Sequence, residues 1–437
     1  MTNTNKEITY KQILGKKDFL PFYVYDFDLV KKQILKLKEN LPSNVKLYYA
    51  AKANPNIAIL RIMKNFGLAV EVSSLGEFLA SNKAGLKPAQ TLFAGSTKSD
   101  QELLIAIKKG IDLMSIESLP ELQRLETIAR RIGKKQNIIL RLKLKMAFKK
   151  EDFSGRMLVR SFGLSLTEAN EILDDFSKKF PHLNLKGFHV YEVTRLCDVD
   201  VLVKIVDQIF LIVQRLEKKF KLHLPIIDIG GGFGSTVRQE LSVITFCQRL
   251  KKLIKQYNFN NREIILELGR YLINPAGTYL SRIIEVRKNK KTNFLIIEGI
   301  VNHLSTKISD HFGGEFSKLV ESAIMKGDYN FGIELLPHLK GQIYPSVICG
   351  QLSSSSDILG QTTDCRFPLP QAKVGDLIVI RYVGAYGLTQ AMTLFGSRPL
   401  ASEFLLINNK LELIRDKMSA QDFISNQRIP SVLNIVN

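Results

Sequence analysis

Three stretches of this chain carry side chains whose types and spacing suit chemistry. Lys52 sits in Tyr-Tyr-Ala-Ala-Lys-Ala-Asn-Pro (48–55), just past the largely apolar run Val45 to Ala51. A lysine at the end of a buried strand can lose hydration, become partly neutral and attack an aldehyde to form a Schiff base. An ordinary solvated loop lysine has the same local sequence. Gly230, Gly231, Gly232 and Gly234 follow Ile227-Asp228-Ile229. The backbone N–H groups of such a run can close on a phosphate, the competing reading being a flexible turn. Glu267-Leu268-Gly269-Arg270 offers a carboxylate for a protonated ring nitrogen and a guanidinium for a phosphate, or else a local ion pair. Between them, Gly187-Phe188-His189-Val190-Tyr191-Glu192-Val193-Thr194-Arg195 supplies a ring that can stack on a flat cofactor and a hydroxyl, Thr194, that can bond its phosphate. A single His or Tyr at a strand end is otherwise a packing residue.

Periodicity indicates the elements that must position these groups. Apolar strand-like runs recur near 46–51, 69–73, 91–95, 111–116, 138–144, 185–191, 226–230 and 264–268. Amphipathic helical stretches lie between them, near 57–66, 76–84, 100–109, 119–132, 167–179, 201–220 and 240–257, and another with Val30, Ile34 and Leu37 on one face precedes them. Eight strand and helix units predict an α/β fold, a (β/α)8 TIM-like barrel, with an open doubly wound sheet as the alternative. All three stretches, and the one between them, then fall at the carboxyl ends of strands, where barrel enzymes collect their chemistry. After about residue 280 the pattern changes to strands, near 282–288, 294–300, 344–349 and 377–384, and to a hairpin from Glu403 to Arg415 turning at Asn408-Asn409. This predicts a second, mainly β domain made of residues 1–26 and 281–437, with the barrel at 27–280. Residues 300–343, with Gly313-Gly314, are the least legible.

Composition narrows the function classes. The 437 residues are 45% hydrophobic and 24% charged, as in globular proteins. No apolar run approaches the roughly 20 residues of a membrane span, and the N-terminus lacks the apolar core of a signal peptide, so a cytoplasmic protein is expected. Cys197, Cys247, Cys349 and Cys365 are widely spaced and form no Cys-x-x-Cys, and the six histidines form no His-Glu-x-x-His. Neither a disulfide framework nor a zinc site is expected, and no other metal. The net charge of +20 is scattered over helical faces in doublets such as Lys31-Lys32 and Lys218-Lys219. It suits anionic small molecules better than nucleic acid.

A Schiff-base lysine, a phosphate cradle and an acid for a ring nitrogen point together to pyridoxal 5′-phosphate. Here the chain resembles the alanine-racemase-fold, pyridoxal-phosphate-dependent decarboxylases, the family of diaminopimelate and ornithine decarboxylases. The likeness is carried by Phe22-Tyr23-Val24-Tyr25-Asp26, Ala51-Lys52-Ala53-Asn54, Ser74-Leu75-Gly76-Glu77, the glycine run, Glu267 to Arg270, and Gly384-Ala385-Tyr386-Gly387. Asn302-His303-Leu304, Ser356-Asp357-Ile358-Leu359-Gly360, Gly387-Leu388-Thr389 and Tyr191 are similar to a subgroup acting on carrier-tethered or citrylated amino acids.

The resemblance implies a homodimer with shared active sites, acting on a small amino acid or a conjugate of one, with no nucleic acid or membrane partner. It implies Lys52 as the Schiff-base lysine. Glu71, Tyr191, Thr194, Gly230, Gly231, Gly232, Gly234, Glu267, Gly269, Arg270 and Tyr386 would surround the cofactor. Ser353 would stand at the proton-donor position, and His189, His303, Ser354 and Asp357 would meet the substrate. Three departures from the family's pattern matter. The family's Gly-Pro-x-Cys-Asp is Gly350-Gln351-Leu352-Ser353-Ser354, its Gly-Ser-Gln is Val193-Thr194-Arg195, and its Glu-Pro-Gly-Arg is Glu267-Leu268-Gly269-Arg270. Serine is a far poorer acid than the thiol it replaces, and Ser354 lacks the charge that would bind a distal ammonium group. The expectation is α-decarboxylation of an L-amino acid or its conjugate, acylated, citrylated or carrier-bound, as in siderophore or secondary-metabolite pathways. A diaminopimelate decarboxylase, a racemase and a non-catalytic regulatory homologue are the alternatives.

Overall fold

The alternating pattern closes into a barrel of eight parallel strands in the computed structural model. The structure describes residues 15–144, 156–157, 162–237, 239–289, 292–305, 332–337, 342–360, 366–431 and 433. Gly313-Gly314 and Cys365 lie outside them. The barrel strands are β1 (Val45–Ala50), β2 (Ala69–Val72), β3 (Thr91–Phe93), β4 (Leu113–Ile116), β5 (Gln136–Leu142), β6 (Leu183–Val190), β7 (Ile226–Gly231) and β8 (Glu263–Leu268). β8 closes the ring on β1, with Leu266 opposite Leu47 and Glu267 opposite Tyr48. Leu92, Leu113, Ile139 and Ile265, from four strands, pack into one buried cluster with Tyr48 and Ile226 against it.

Local chemistry sets the helix ends. Asp100–Lys109 begins where Ser99 accepts from the Glu102 amide and Glu102 accepts in return from the Ser99 amide. It stops at Gly110, whose φ of 75° suits a residue without a Cβ. Val199–Phe220 starts at Asp198 and buries Val201, Ile205, Ile209 and Val213 along one face. The helix expected over 167–179 is split into Leu166–Leu173 and Phe176–Lys179. Asp174-Asp175 breaks it, Asp175 taking φ 55°, a conformation a short polar side chain tolerates.

The described residues within 30–274 form one compact unit, and those up to 29 and from 275 form the other. In the second unit Phe22–Asp26 lies between Gly277–Asn289, antiparallel, and Ser402–Ile407, parallel. Gly277 to Leu280, counted with the barrel by periodicity, pair with Tyr25 to Phe22 in this sheet. The hairpin Ser402–Ile407 and Lys410–Arg415 turns at Asn408-Asn409, at φ 49° and 57°, the left-handed pair that a two-residue turn needs. Leu20, Phe22, Val24, Leu280, Leu377, Val379 and Phe404 form its core. Two strands were not anticipated. Phe367–Pro370 lies at an end of the sheet order, where its two prolines are tolerated. Ile333–Leu336 is only four residues long. No helix among the described residues is long and apolar enough to cross a membrane.

Candidate active site

Lys52 lies two residues beyond β1, in the short turn Ala51–Ala53. Its Nζ is 2.9 Å from Glu71 Oε2 and 3.1 Å from Oε1. Glu71 is fully buried on β2, while the Lys52 side chain is 39% exposed, so the acid anchors an amine that solutes can reach. Gly269 allows the end of β8 to pack against this turn, since a Cβ there would stand 2.7 Å from that of Ala53. The sequence interval from 52 to 269 thereby becomes a contact.

Next to β8, three neighbouring strands send polar side chains to one point. His189 on β6, Asp228 on β7 and Glu267 on β8 are all buried, with one ligand atom of each within 4.8 Å of the others. His189 Nδ1 is 2.8 Å from Ser115 Oγ, and its Nε2 stands 3.9 Å from Glu267 Oε2. Asp228 Oδ1 accepts from the Gly230 amide at 2.8 Å. Among the described residues His189 Nε2, Asp228 Oδ2 and Glu267 Oε1 have no hydrogen-bond partner. Burial, and then the Asp228–Glu267 proximity, hold Asp228 well above the usual carboxylate range. Burial and the Glu71 charge push Glu267 up to about 7, against the opposing pull of Lys52 and Arg141. Burial, reinforced by Arg141, Lys52 and Lys98, holds His189 well below its ordinary value, so the ring is neutral. Its placement beside Ser115, 1% exposed, sets it in the barrel interior rather than at a substrate's edge.

The glycine run is packed, not loose. A Cβ on Gly231 would lie 1.7 Å from the Glu267 carbonyl oxygen, and one on Gly232 2.2 Å from that of Val193. Gly230 and Gly232 adopt φ 64° and 81°. Leu196 N donates to Gly232 O at 2.9 Å and Gly234 N to Leu196 O at 2.8 Å, so the segment after β6 is zipped onto the run. That segment carries half-buried Thr194 and, at φ 62°, Arg195. Arg270, in the short helix Arg270–Ile273, is buried. Tyr191 is half-buried, its ring centroid 5.9 Å from the Arg141 guanidinium, and Arg141 Nη1 is held by Glu117 Oε1 at 2.6 Å.

The remaining candidates belong to the β unit. Ser353 is exposed on a loop, and Ser354 bonds Ser356 at 2.7 Å. Both border a groove of ≈ 720 Å³ with Cys349, Arg287 and Lys288. Tyr386 is half-buried at φ 65°. Two residues expected to meet substrate have internal partners. Asp357, 2% exposed, accepts from the amides of Val301 at 3.0 Å and Leu352 at 2.7 Å, one on each oxygen. It therefore shapes the loop that carries Ser353. His303 lies 3.1 Å from the Tyr279 hydroxyl and 2.6 Å from Pro399 O. A carbonyl only accepts, so the proton is on Nε2, and burial lowers the group to about 4.

Sequence reasoning missed Asp228, Ser115, the Arg141–Glu117 pair and buried Lys98. Lys98 Nζ contacts Glu121 at 2.9 Å, Ser115 O at 2.8 Å and Gly95 O at 3.1 Å. Asp228 stood inside a quoted motif. The signal was a polar residue alternating with Ile227 and Ile229 at the end of a buried strand.

Residues 27–274 match the family described as pyridoxal-dependent decarboxylase, pyridoxal binding domain. The chain is 25% identical to the L-glutamyl-[BtrI acyl-carrier protein] decarboxylase of Niallia circulans, over 95% of each chain. It is 26% identical to the 2-[(L-alanin-3-ylcarbamoyl)methyl]-2-hydroxybutanedioate decarboxylase of Staphylococcus aureus, over 89% of this chain and 94% of that one. The solved diaminopimelate decarboxylase of Helicobacter pylori, complexed with L-lysine, superimposes with a TM-score of 0.77 at 26% identity, covering 92% of this chain and 95% of that one.

Proposed function

The chain belongs to the pyridoxal-dependent decarboxylases, and from that premise we propose that its substrate is an amino acid conjugated at its far end, by acylation, citrylation or attachment to a carrier protein. It is a pyridoxal-phosphate-dependent amino-acid decarboxylase. The residues present fit that cofactor. A half-buried amine stands on a buried carboxylate, Asp228 and Glu267 each bury an oxygen with no hydrogen-bond partner among the described residues, and a glycine run leaves backbone where side chains would otherwise fill space. When bound, pyridoxal phosphate supplies the electron sink that makes loss of carbon dioxide from Cα feasible.

The chain's own residues have the following proposed parts. Lys52 holds the cofactor and yields its place to the substrate amine, Glu71 fixing the Lys52 ammonium whenever that amine is free. Glu267 carries the negative charge that keeps a ring nitrogen protonated, and Tyr191 lies against the ring. The glycine run Gly230 to Gly234, the Thr194 hydroxyl, Arg270 and Tyr386 surround the phosphate. Gly269 lets the Glu267 strand end approach Lys52. Ser353, on a loop ordered by Asp357, stands where a proton returns to Cα.

The observation carrying the substrate reading is that neither Ser354 nor Asp357, the two loop positions where a distal ammonium was expected, offers it a free charge. Ser354 is neutral, and each oxygen of Asp357 already accepts from a backbone amide. Desolvating an unpaired ammonium costs on the order of several kcal/mol, about a thousandfold in affinity. Free ornithine, lysine and diaminopimelate are therefore expected to be poor substrates, and conjugates neutral or anionic at the far end good ones. Carbon dioxide release from the cofactor-loaded protein, compared over both sets, tests this. Efficient turnover of free meso-diaminopimelate with no gain from conjugates would replace it with the activity of the Helicobacter pylori relative.

We also propose that the active unit is a homodimer in which Ser353 and Tyr386 serve the partner's Lys52. Lys52→Ala and Ser353→Arg subunits, each inactive alone, are then expected to regain activity when mixed, up to about a quarter of wild type for one intact site in randomly formed dimers. Subunit exchange seen by mass spectrometry with no recovered activity would count against shared sites.

A further inference from the structure

Among the described residues, Asp228 and Glu267 are neighbouring carboxylates buried in the barrel interior that form no charge pair with a lysine or arginine. Three cations act electrostatically on His189, namely Lys52, Lys98 and Arg141, and each already has a carboxylate of its own, Glu71, Glu121 and Glu117. Asp228 and Glu267 remain, side by side, without a dedicated cation among the described residues. His189 Nε2, unpartnered and 3.9 Å from Glu267, faces the same space. Two adjacent buried carboxylates cannot both stay ionised. One proton on the pair removes that conflict and leaves a single negative charge.

We propose that Asp228 is a positioning residue that keeps one proton between itself and Glu267, so that the pair meets an incoming cationic ring with one negative charge. The inference rests on the reading that Glu267 faces the ring nitrogen. Asp228 Oδ1 is anchored by the Gly230 amide, which leaves Oδ2 for the shared proton. His189, its Nδ1 occupied by Ser115, is the neutral neighbour that completes the pocket. The other groups facing the pair are Lys52 and Glu71 at the ends of β1 and β2, Arg141 on β5, and Tyr48 on β1. With burial and the Glu71 charge pushing Glu267 up to about 7, the pair is expected to be neutral below that pH and singly charged above it. Affinity for a cationic ring then falls as pH drops through about 7.

The probe is 4-deoxypyridoxine 5′-phosphate, a phosphorylated pyridine without the aldehyde, which separates ring recognition from bonding to Lys52. Its dissociation constant is measured by calorimetry from pH 5.5 to 8.5 on cofactor-free protein. Wild type is expected to show a step near pH 7, and Asp228→Asn, which keeps both the acceptor for Gly230 and a donor for Glu267, is expected to keep affinity and step alike. Asp228→Ala is expected to bind about tenfold or more weakly at pH 7 and to recover at higher pH, its step displaced upward as Glu267 loses its donor. Glu267→Gln removes the step. If it leaves affinity and pH profile unchanged, the placement of Glu267 is wrong. A weakening by Glu267→Gln with an unmoved step in Asp228→Ala, or an Asn variant as weak as Ala, overturns the role of Asp228 alone. Should Asp228→Ala fail to fold, proton release on binding decides. Wild type minus the Glu267→Gln blank should release up to one proton below pH 7 and none well above it, and no release at any pH overturns the proposal. A divalent metal found between the three side chains by elemental analysis overturns it too.

Discussion

Lys52→Ala is expected to lower turnover on the order of ten-thousandfold or more, the scale on which a positioned amine exceeds one free in solution. The variant should also lose the visible absorbance of covalently held cofactor. Lys52→Arg keeps a cation on Glu71 but offers no nucleophile, and should fold normally yet be equally inactive. Borohydride treatment of wild type followed by peptide mass spectrometry should place a pyridoxyl group on Lys52. Lys98 is the internal control. Its side chain is 1% exposed and its three donors already meet three oxygens, so it should stay unlabelled. Label on any other lysine would refute the assignment.

The second large effect belongs to Gly231→Ala. Gly231 stands in register with Glu267 on the neighbouring strand, and the added methyl would sit 1.7 Å from that residue's carbonyl oxygen. Neither backbone can yield without spreading β7 from β8, so overpacking should cost on the order of 3 kcal/mol or more. The displaced carboxylate of Glu267 should weaken cofactor retention as well. Gly76→Ala is the contrasting case. Its Cβ would meet only Ser74 Oγ, at 3.8 Å, within a helix, so the change should stabilise by about 0.5–1 kcal/mol. Denaturation midpoints and cofactor content of the two variants check both statements. Equal stability of Gly231→Ala and wild type would remove the packing argument.

Much of this was legible because it is periodic. Each barrel strand was visible as a short apolar run, and the Asn408-Asn409 turn by its residue types. The Lys52, Gly230 and Glu267 stretches could be set at strand ends on the same basis. What escaped depended on partners distant in sequence. Nothing local says that Asp357 caps the Val301 amide, or that His303 reaches Pro399 O. The backbone-holding part of these polar residues was therefore not visible in the sequence. Asp228 escaped for a different reason. Its meaning is a count of charges around the barrel, which only closure of β8 on β1 makes possible.

The strand Phe22–Asp26 has a consequence for biosynthesis. It is synthesised long before its partners, since Phe22 pairs with Leu280 and Asp26 with Leu406. At about 5–20 residues per second, its parallel neighbour follows roughly 20 to 75 s later. Until Gly277 to Leu280 emerge, roughly 13 to 50 s on, Phe22, Tyr23, Val24 and Tyr25, all nearly inaccessible in the finished fold, form an apolar, β-prone segment with both edges open, and one edge stays open for the rest of the interval. Yield in a foreign host should therefore depend on holdase chaperones during translation, and truncation before the Ser402–Ile407 strand should leave nascent chains prone to associate through their first strand.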